Sequence, residues 1–200
     1  ILIISIVIFG FSIYMVRKFF SHAEEVKLVW DERSEKEIER LMDDGSKVAV
    51  PFDKKRIING EYDSFGIGIL NVIDEHPADD FEVTVKFNKA FNKKNDLICE
   101  SGGTPLPSDC GDPDTWLKTT AGDGISGEGV SITKNIKNNE QEKFLLGVDV
   151  KSAPKGTYIF DLEVCTESDE IGDTDPPDRC TTPSPPDLYD TIHKIYVEVP

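Results

Sequence analysis

Short segments in which apolar and polar residues alternate recur along residues 47–200. The clearest is Phe81–Phe87, where four apolar side chains alternate with Glu82, Thr84 and Lys86. A period of two is typical of a strand with one face in the core. The same pattern recurs in further segments: Phe65–Ile69, Leu146–Val150, Tyr158–Val164 and Ile195–Val199, with weaker ones at Val48–Val50 and Val130–Ile132. About seven strands separated by turn residues predict a mainly β, immunoglobulin-like β-sandwich.

A helix is predicted just before this sandwich. Apolar Ile38, Leu41 and Met42 recur at helical spacing, Ser34 with Glu37 fits a capping box, and Gly45 is placed to end the helix. We expect its apolar stripe to pack on the sandwich. The chain is thus divided into an apolar helix (1–22), a charged helical stalk (23–46) and a sandwich head (47–200). In the Phe65–Ile69 strand, Gly66 and Gly68 leave one face bare, which indicates a bulge or a close-packed neighbour.

Four cysteines fall into two neighbouring pairs, Cys99 with Cys110 and Cys165 with Cys180. Local pairing is the simplest of the three possible connectivities. No Cys-x-x-Cys motif occurs and no histidine lies near either pair, so zinc binding is disfavoured. A disulfide that closes a loop of this length stabilises a fold by about 3 kcal/mol and persists only in an oxidising compartment. The cysteines therefore predict an extracytoplasmic protein.

The N-terminal segment is strongly apolar. Its first 16 residues carry no charge, and they would span about 24 Å as a helix, less than the hydrocarbon core of about 30 Å. We predict a membrane or assembly helix formed by the apolar residues of this segment: Ile1, Leu2, Ile3, Ile4, Ile6, Val7, Ile8, Phe9, Phe11, Ile13, Met15, Val16, Phe19 and Phe20.

A chain that opens directly into an apolar helix and continues into a β-rich head resembles the type IV pilin-like subunits, especially the archaeal ones. Ser5 stands where bacterial pilins commonly carry glutamate. The resemblance implies a non-catalytic homopolymer whose N-terminal helices leave the membrane and bundle into a filament core, with the heads displayed outward for surface adhesion. The alternative is a single-pass, membrane-anchored ectodomain that binds the cell envelope, as in the archaellum accessory proteins.

Charge and histidine content argue against two classes of function. The formal net charge is −16, which disfavours nucleic acid as a partner because phosphate binding requires clustered Lys and Arg. The three histidines, His22, His76 and His193, are scattered, and none lies in a hydrolase or zinc-protease motif. We therefore expect no enzyme and no cofactor.

Calcium is the one ion that the acidic loops suggest. Asp173, Asp175 and Asp178, with Asp169, crowd the loop between Cys165 and Cys180. A second acidic group follows Cys110: Asp112, Asp114 and Asp123. Carboxylate oxygens are the ligands that calcium takes, but neither group matches an EF-hand loop. A solvated acidic loop is the alternative interpretation.

Overall fold

The computed structural model describes residues 32–74, 77–103, 106–119, 125–126, 129–166 and 188–200. The predicted apolar helix 1–22, residues 23–31 of the stalk, Cys180 and the loop carrying Asp173, Asp175 and Asp178 lie outside this part of the chain. Across the described ranges, no helix is both long enough and apolar enough to cross a membrane.

The described elements are one α-helix, two 3-10 helices and eleven strands. The helix α1 is Glu32–Asp43, and the 3-10 helices are Pro107–Cys110 and Pro113–Trp116. The strands are β1 (Val48–Ala49), β2 (Lys54–Arg56), β3 (Tyr62–Leu70), β4 (Ala78–Phe91), β5 (Leu97–Glu100), β6 (Leu117–Thr119), β7 (Ile125–Ser126), β8 (Gly129–Lys137), β9 (Gln141–Asp149), β10 (Gly156–Thr166) and β11 (His193–Val199).

Two sheets form the sandwich. Sheet I has the order β1-β3-β9-β6, and sheet II has the order β2-β11-β10-β4-β8-β7, with β5 also paired to β4. The chain changes sheets between β1, which is antiparallel to β3, and β2, which is parallel to β11. In sheet I, the order β1-β3-β9-β6 matches the order A-B-E-D of an immunoglobulin-like sandwich. In sheet II, the neighbouring strands β4, β10 and β11 match its strands C, F and G. The mainly β, immunoglobulin-like prediction is thereby confirmed.

The core lies between the two sheets. The longer predicted segments are strands with their apolar side chains buried, as in β4, where Phe81, Val83, Val85 and Phe87 are 0–1% exposed. The predicted strand Val48–Val50 is shorter than expected, since β1 ends at Ala49 and Val50 is only partly buried. The strands β2, β5, β6 and β7 were not predicted. They are only two to four residues long, too short for an alternation to be visible.

An excursion between β4 and β8 adds to this core. It carries β5, both 3-10 helices, β6 and β7, and it contributes Trp116, which is 0% exposed. The Trp116 ring lies 4.8 Å from that of Tyr158, and its indole N–H donates to the Gly111 carbonyl at 2.9 Å. Trp116 thus joins the core from a 3-10 turn and not from a strand.

The helix α1 packs against the outer face of sheet I. Ile38 and Met42 are buried, and a Cβ added to Gly68 would lie 2.4 Å from Ile38 Cγ2. A close-packed neighbour therefore explains the bare face at Gly68, and the described part of the stalk lies on the head. The helix ends as predicted. Gly45 has φ +95°, its N–H donates to the Met42 carbonyl, and the Ser46 N–H donates to that of Leu41, the pattern of a Schellman motif.

The predicted capping box is wrong. Ser34 is buried inside the helix, which already includes Glu32, so it cannot be the residue that precedes the first turn. Glu37 instead binds the Arg40 guanidinium at 2.6 Å, one turn along the helix. The apolar periodicity of the helix was informative, whereas the capping motif misplaced its start.

Candidate functional site

A recess of about 660 Å³ opens on sheet II beside the disulfide-closed loop. It lies where the edge of β4 changes partner, since β8 pairs with β4 as far as Val85 and β5 pairs from Lys89. The described residues that line it are Lys86, Ser101, Gly102, Leu106, Pro107, Ser108, Asp112, Asp114 and Thr115.

The second 3-10 helix closes the gap in the β4 edge. Asp114 Oδ1 accepts a hydrogen bond of 2.7 Å from the Phe87 backbone N–H, which lies between the stretches paired to β8 and β5. The Ser101 N–H donates to the Asn88 carbonyl at 2.8 Å from the other side. A buried N–H left without a partner would cost about 1–3 kcal/mol, so Asp114 has a clear structural role.

The disulfide fixes the wall of the recess. Cys99 in β5 is bonded to Cys110 at the end of the first 3-10 helix, with the Cα atoms 6.2 Å apart, as the sequence predicted. The next residue, Gly111, has φ +86°, and a Cβ there would lie 2.8 Å from the Lys151 carbonyl oxygen. Only glycine allows this close approach, which joins the loop to the β9–β10 turn.

Ion pairs extend from the recess across the outer face of sheet II. Lys86 Nζ lies 3.0 Å from Glu163 Oε2, and Asp161 accepts from Asn88 Nδ2 at 2.8 Å and from Lys194 Nζ at 2.5 Å. Both carboxylates are buried although they point away from the core. Each buried charge is therefore compensated by a lysine that lies closer to solvent.

The recess can recognise polar groups through one ammonium, two carboxylates and several hydroxyls. The Thr115 hydroxyl is already used, since it donates to the Asp112 carbonyl at 2.7 Å. Among its described lining residues there is no histidine or thiol that could activate the hydroxyls of Ser101 or Ser108.

The structure describes some of the predicted calcium ligands and disulfide cysteines, and others lie outside the described residues. Asp112 and Asp114 both line the recess, but the described residues contain no group of three or more His, Cys, Asp or Glu side chains able to hold a metal ion. Calcium binding by Asp173, Asp175 and Asp178 stays a prediction. Cys165 is disulfide-bonded, and its predicted partner, Cys180, lies outside the described residues.

Of the three histidines only His193 is described. It begins β11, and its Nε2 lies 3.2 Å from Asp190 Oδ2. His22 and His76 lie outside the described residues.

Several tyrosines are held in their neutral form. Burial raises the pKa of Tyr158, whose hydroxyl donates to the Pro154 carbonyl at 2.8 Å. Burial, with the nearby charges of Asp63 and Asp149, raises the pKa of Tyr62 to about 12. Burial also raises the pKa of Tyr189, against the opposing hydrogen bond from the Val72 N–H. Tyr158 and Tyr189 serve as neutral hydrogen-bonding and packing groups, whereas the buried Tyr62 hydroxyl has no hydrogen-bond partner among the described residues.

Comparison with known proteins identifies no family. No protein-family model matches the sequence, and no characterised protein does. Among solved structures, a family 123 glycoside hydrolase from Clostridium perfringens aligns at 14% identity with a TM-score of 0.39. The alignment covers 74% of this chain and 22% of that enzyme. The PapD-like domain 7 of human CEP192 aligns at 8% identity and TM-score 0.41 over 77% of this chain and 85% of that domain.

A fimbrial protein also aligns, the class 5 fimbriae chaperone CfaA, at 13% identity and TM-score 0.35 over 76% of this chain and 56% of that one. Since every one of these TM-scores is below 0.5, the fold assignment depends on the strand order. The bonded cysteines indicate independently that the chain matures in an oxidising, extracellular environment.

Proposed function

We propose that this chain is a non-catalytic structural subunit of an extracellular, type IV pilus-like filament. It polymerises through the apolar residues 1–20 and displays the sandwich for surface adhesion. The observation that carries the proposal is the docking of α1 on sheet I. The segment that follows the apolar residues is packed onto the head through Gly68, and Lys143 of β9 binds Glu35 and Glu39 of the helix.

The proposed mechanism is burial of apolar side chains between neighbouring N-terminal helices. Sixteen uncharged residues cover about 24 Å, which is short for a lone membrane span but sufficient for a helix surrounded by other copies. Because α1 is packed on sheet I, the displayed head would begin at Glu32. The disulfide-closed loop and the recess would then lie on the displayed part of the subunit.

Substitutions in the apolar segment test this mechanism. The full chain carrying Phe9→Ala with Phe11→Ala is expressed beside a control carrying Ser12→Ala, and surface appendages are sheared from the cells. We expect the double variant to be lost from the appendages and retained in the membrane, since alanine keeps the segment apolar but removes the rings that pack between helices. The control should still assemble.

The anchored ectodomain is the alternative outcome of the same experiment. It predicts that the unsubstituted chain stays in the membrane fraction as a monomer and never enters sheared appendages. That result would contradict the filament proposal while leaving the extracellular location unchanged.

A further inference from the structure

The turn between β2 and β3 contains Asn59-Gly60, the only Asn-Gly sequence in the chain. Such a pair is chemically reactive, because glycine has no side chain to hinder attack by its backbone nitrogen on the side-chain amide of the preceding asparagine. Both residues are exposed, so water has access to this turn. Whether the pair reacts therefore depends on how the fold holds it.

In the folded head the side-chain amide of Asn59 is held through both of its polar atoms. Its Nδ2 donates to the Ala153 carbonyl at 2.7 Å, and its Oδ1 accepts from the Ala153 N–H at 2.8 Å. Ala153 is a core residue, only 6% exposed. Attack by Gly60 closes a five-membered ring that includes the amide carbon, so the side chain would have to leave both hydrogen bonds.

The attacking nitrogen is held as well. The Gly60 N–H donates to the Val150 carbonyl at 2.8 Å, and the Val150 N–H donates to the Glu61 carbonyl at 3.2 Å. The Glu61 N–H in turn donates to the Ile58 carbonyl at 2.8 Å. The attack requires the Gly60 nitrogen to lose its proton, and the hydrogen bond to Val150 opposes this loss.

The turn between β9 and β10, which carries these partners, is itself fixed by other contacts. The Tyr158 hydroxyl donates to the Pro154 carbonyl at 2.8 Å, and Gly111 lies close to the backbone carbonyls of Lys151 and Ser152. The β9–β10 turn is thus held to the core and to the disulfide-closed loop. The pairing opens when the β2–β3 turn moves away from it.

We propose that Asn59 is a deamidation site that the fold protects while the two turns are paired and that reacts when the β2–β3 turn opens. On opening, the Gly60 nitrogen loses its proton and bonds to Asn59 Cγ, the Cγ–Nδ2 bond breaks, and ammonia leaves. Water then opens the resulting succinimide to aspartate or isoaspartate. Water is the only co-reactant.

The product cannot restore the pairing of the two turns. A carboxylate has no hydrogen to donate, so the Ala153 carbonyl loses its donor and faces a negative charge instead. Isoaspartate also adds one carbon to the backbone, which displaces Glu61 from its partner Val150. An opening that leads to reaction therefore leaves a lasting loss of contact between the turns. This inference does not rest on the proposed filament, since it concerns the head alone.

Deamidation rates test the protection. The full chain in detergent is incubated in mildly alkaline buffer with and without guanidinium, and the peptide containing Asn59 is quantified by mass spectrometry. The two side-chain hydrogen bonds should slow deamidation by roughly thirtyfold in the folded chain relative to the unfolded one. Hydrogen exchange at the Gly60 amide should quicken in parallel with deamidation as guanidinium is raised, because the same opening exposes both.

Aspartate substitutions test the consequence with a matched control. Asn59→Asp places the product side chain in the β2–β3 turn. Asn95→Asp adds the same charge to the exposed turn between β4 and β5, where the Asn95 side chain forms no hydrogen bond within the described part of the chain. In urea unfolding, Asn59→Asp should lower the ratio of folded to unfolded chains by roughly tenfold, and Asn95→Asp should leave this ratio unchanged.

Three results would overturn the proposal. One is deamidation of Asn59 at the same rate in the folded and the unfolded chain, which would mean that the paired turns give no protection. Another is that Asn59 keeps its amide in the unfolded chain. The third is that the two aspartate substitutions lower stability equally. The Phe9 and Phe11 variant that tests filament assembly carries the same two turns, so its outcome does not affect these measurements.

Discussion

Substituting Gly68 by alanine tests whether α1 packs on sheet I as described. The new Cβ would lie 2.4 Å from Ile38 Cγ2, against a normal carbon–carbon contact of about 3.5–4.0 Å, so the helix must retreat by more than about 1 Å. Overpacking of this kind destabilises the folded state by about 1–3 kcal/mol. Replacing glycine by alanine within a strand stabilises it by about 0.5–1 kcal/mol, because alanine loses less conformational freedom on folding. We expect Gly68→Ala to lower the free energy of unfolding by about 1–2 kcal/mol.

A double-mutant cycle isolates the contact. Ile38→Ala alone should cost about 2–5 kcal/mol, since Ile38 is fully buried. In the double variant the clashing methyl is gone, so the combined loss should be smaller than the sum by about 1–3 kcal/mol. Urea unfolding of the full chain in detergent, followed by tryptophan fluorescence, measures each free energy.

Lys36→Ala is the matched control. Lys36 is on the same helix but is 71% exposed, and it should combine with Gly68→Ala additively within about 0.5 kcal/mol. Two results would refute the placement of the helix. One is that the effects of Gly68→Ala and Ile38→Ala on the free energy of unfolding are also additive. The other is that Gly68→Ala does not lower this free energy.

Three further predictions concern the disulfide, the recess and a buried phenol. Replacing Cys99 and Cys110 together by alanine should lower the free energy of unfolding by about 3 kcal/mol, measured by urea unfolding against the oxidised parent; an unchanged midpoint would contradict it. Asp114→Ala should lower the free energy of unfolding by about 1–3 kcal/mol and speed hydrogen exchange at the Phe87 amide, because that N–H loses its acceptor. Asp114→Asn keeps an acceptor oxygen and should have smaller effects; equal effects of the two variants would argue against this hydrogen bond. Because the pKa of Tyr62 is about 12 in the folded state and about 10 in the unfolded chain, the folded state keeps a proton that the unfolded state loses, so stability should fall from pH ~10 towards pH ~12. Tyr62→Phe should flatten that fall in urea midpoints, and an identical pH profile would refute the assignment.

The parts of the fold that could be predicted are those with a repeated pattern. In β4 and β10 the alternation is long enough to identify both the strand and its buried face. By contrast, β2 is Lys-Lys-Arg and becomes a strand through its parallel pairing with β11, about 140 residues along the chain. Nothing in the local sequence carries that information.

The candidate site was harder to predict because it also depends on contacts between distant parts of the chain. Trp116 ends the short 3-10 helix Pro113–Trp116, so its burial follows from the tertiary fold and not from a repeated apolar pattern. Asp114 was singled out as a possible calcium ligand, whereas the structure gives it the Phe87 N–H as a partner.

The position of β11 has a consequence for the order of folding. This strand lies between β10 and β2, so sheet II can be completed only after residues 193–199 have been synthesised. Its buried Ile195, Val197 and Val199 cover core positions that would otherwise meet water. During synthesis, residues 48–166 therefore emerge before the head can close. The incomplete head would expose an open strand edge and apolar surface, the features that favour aggregation or chaperone binding.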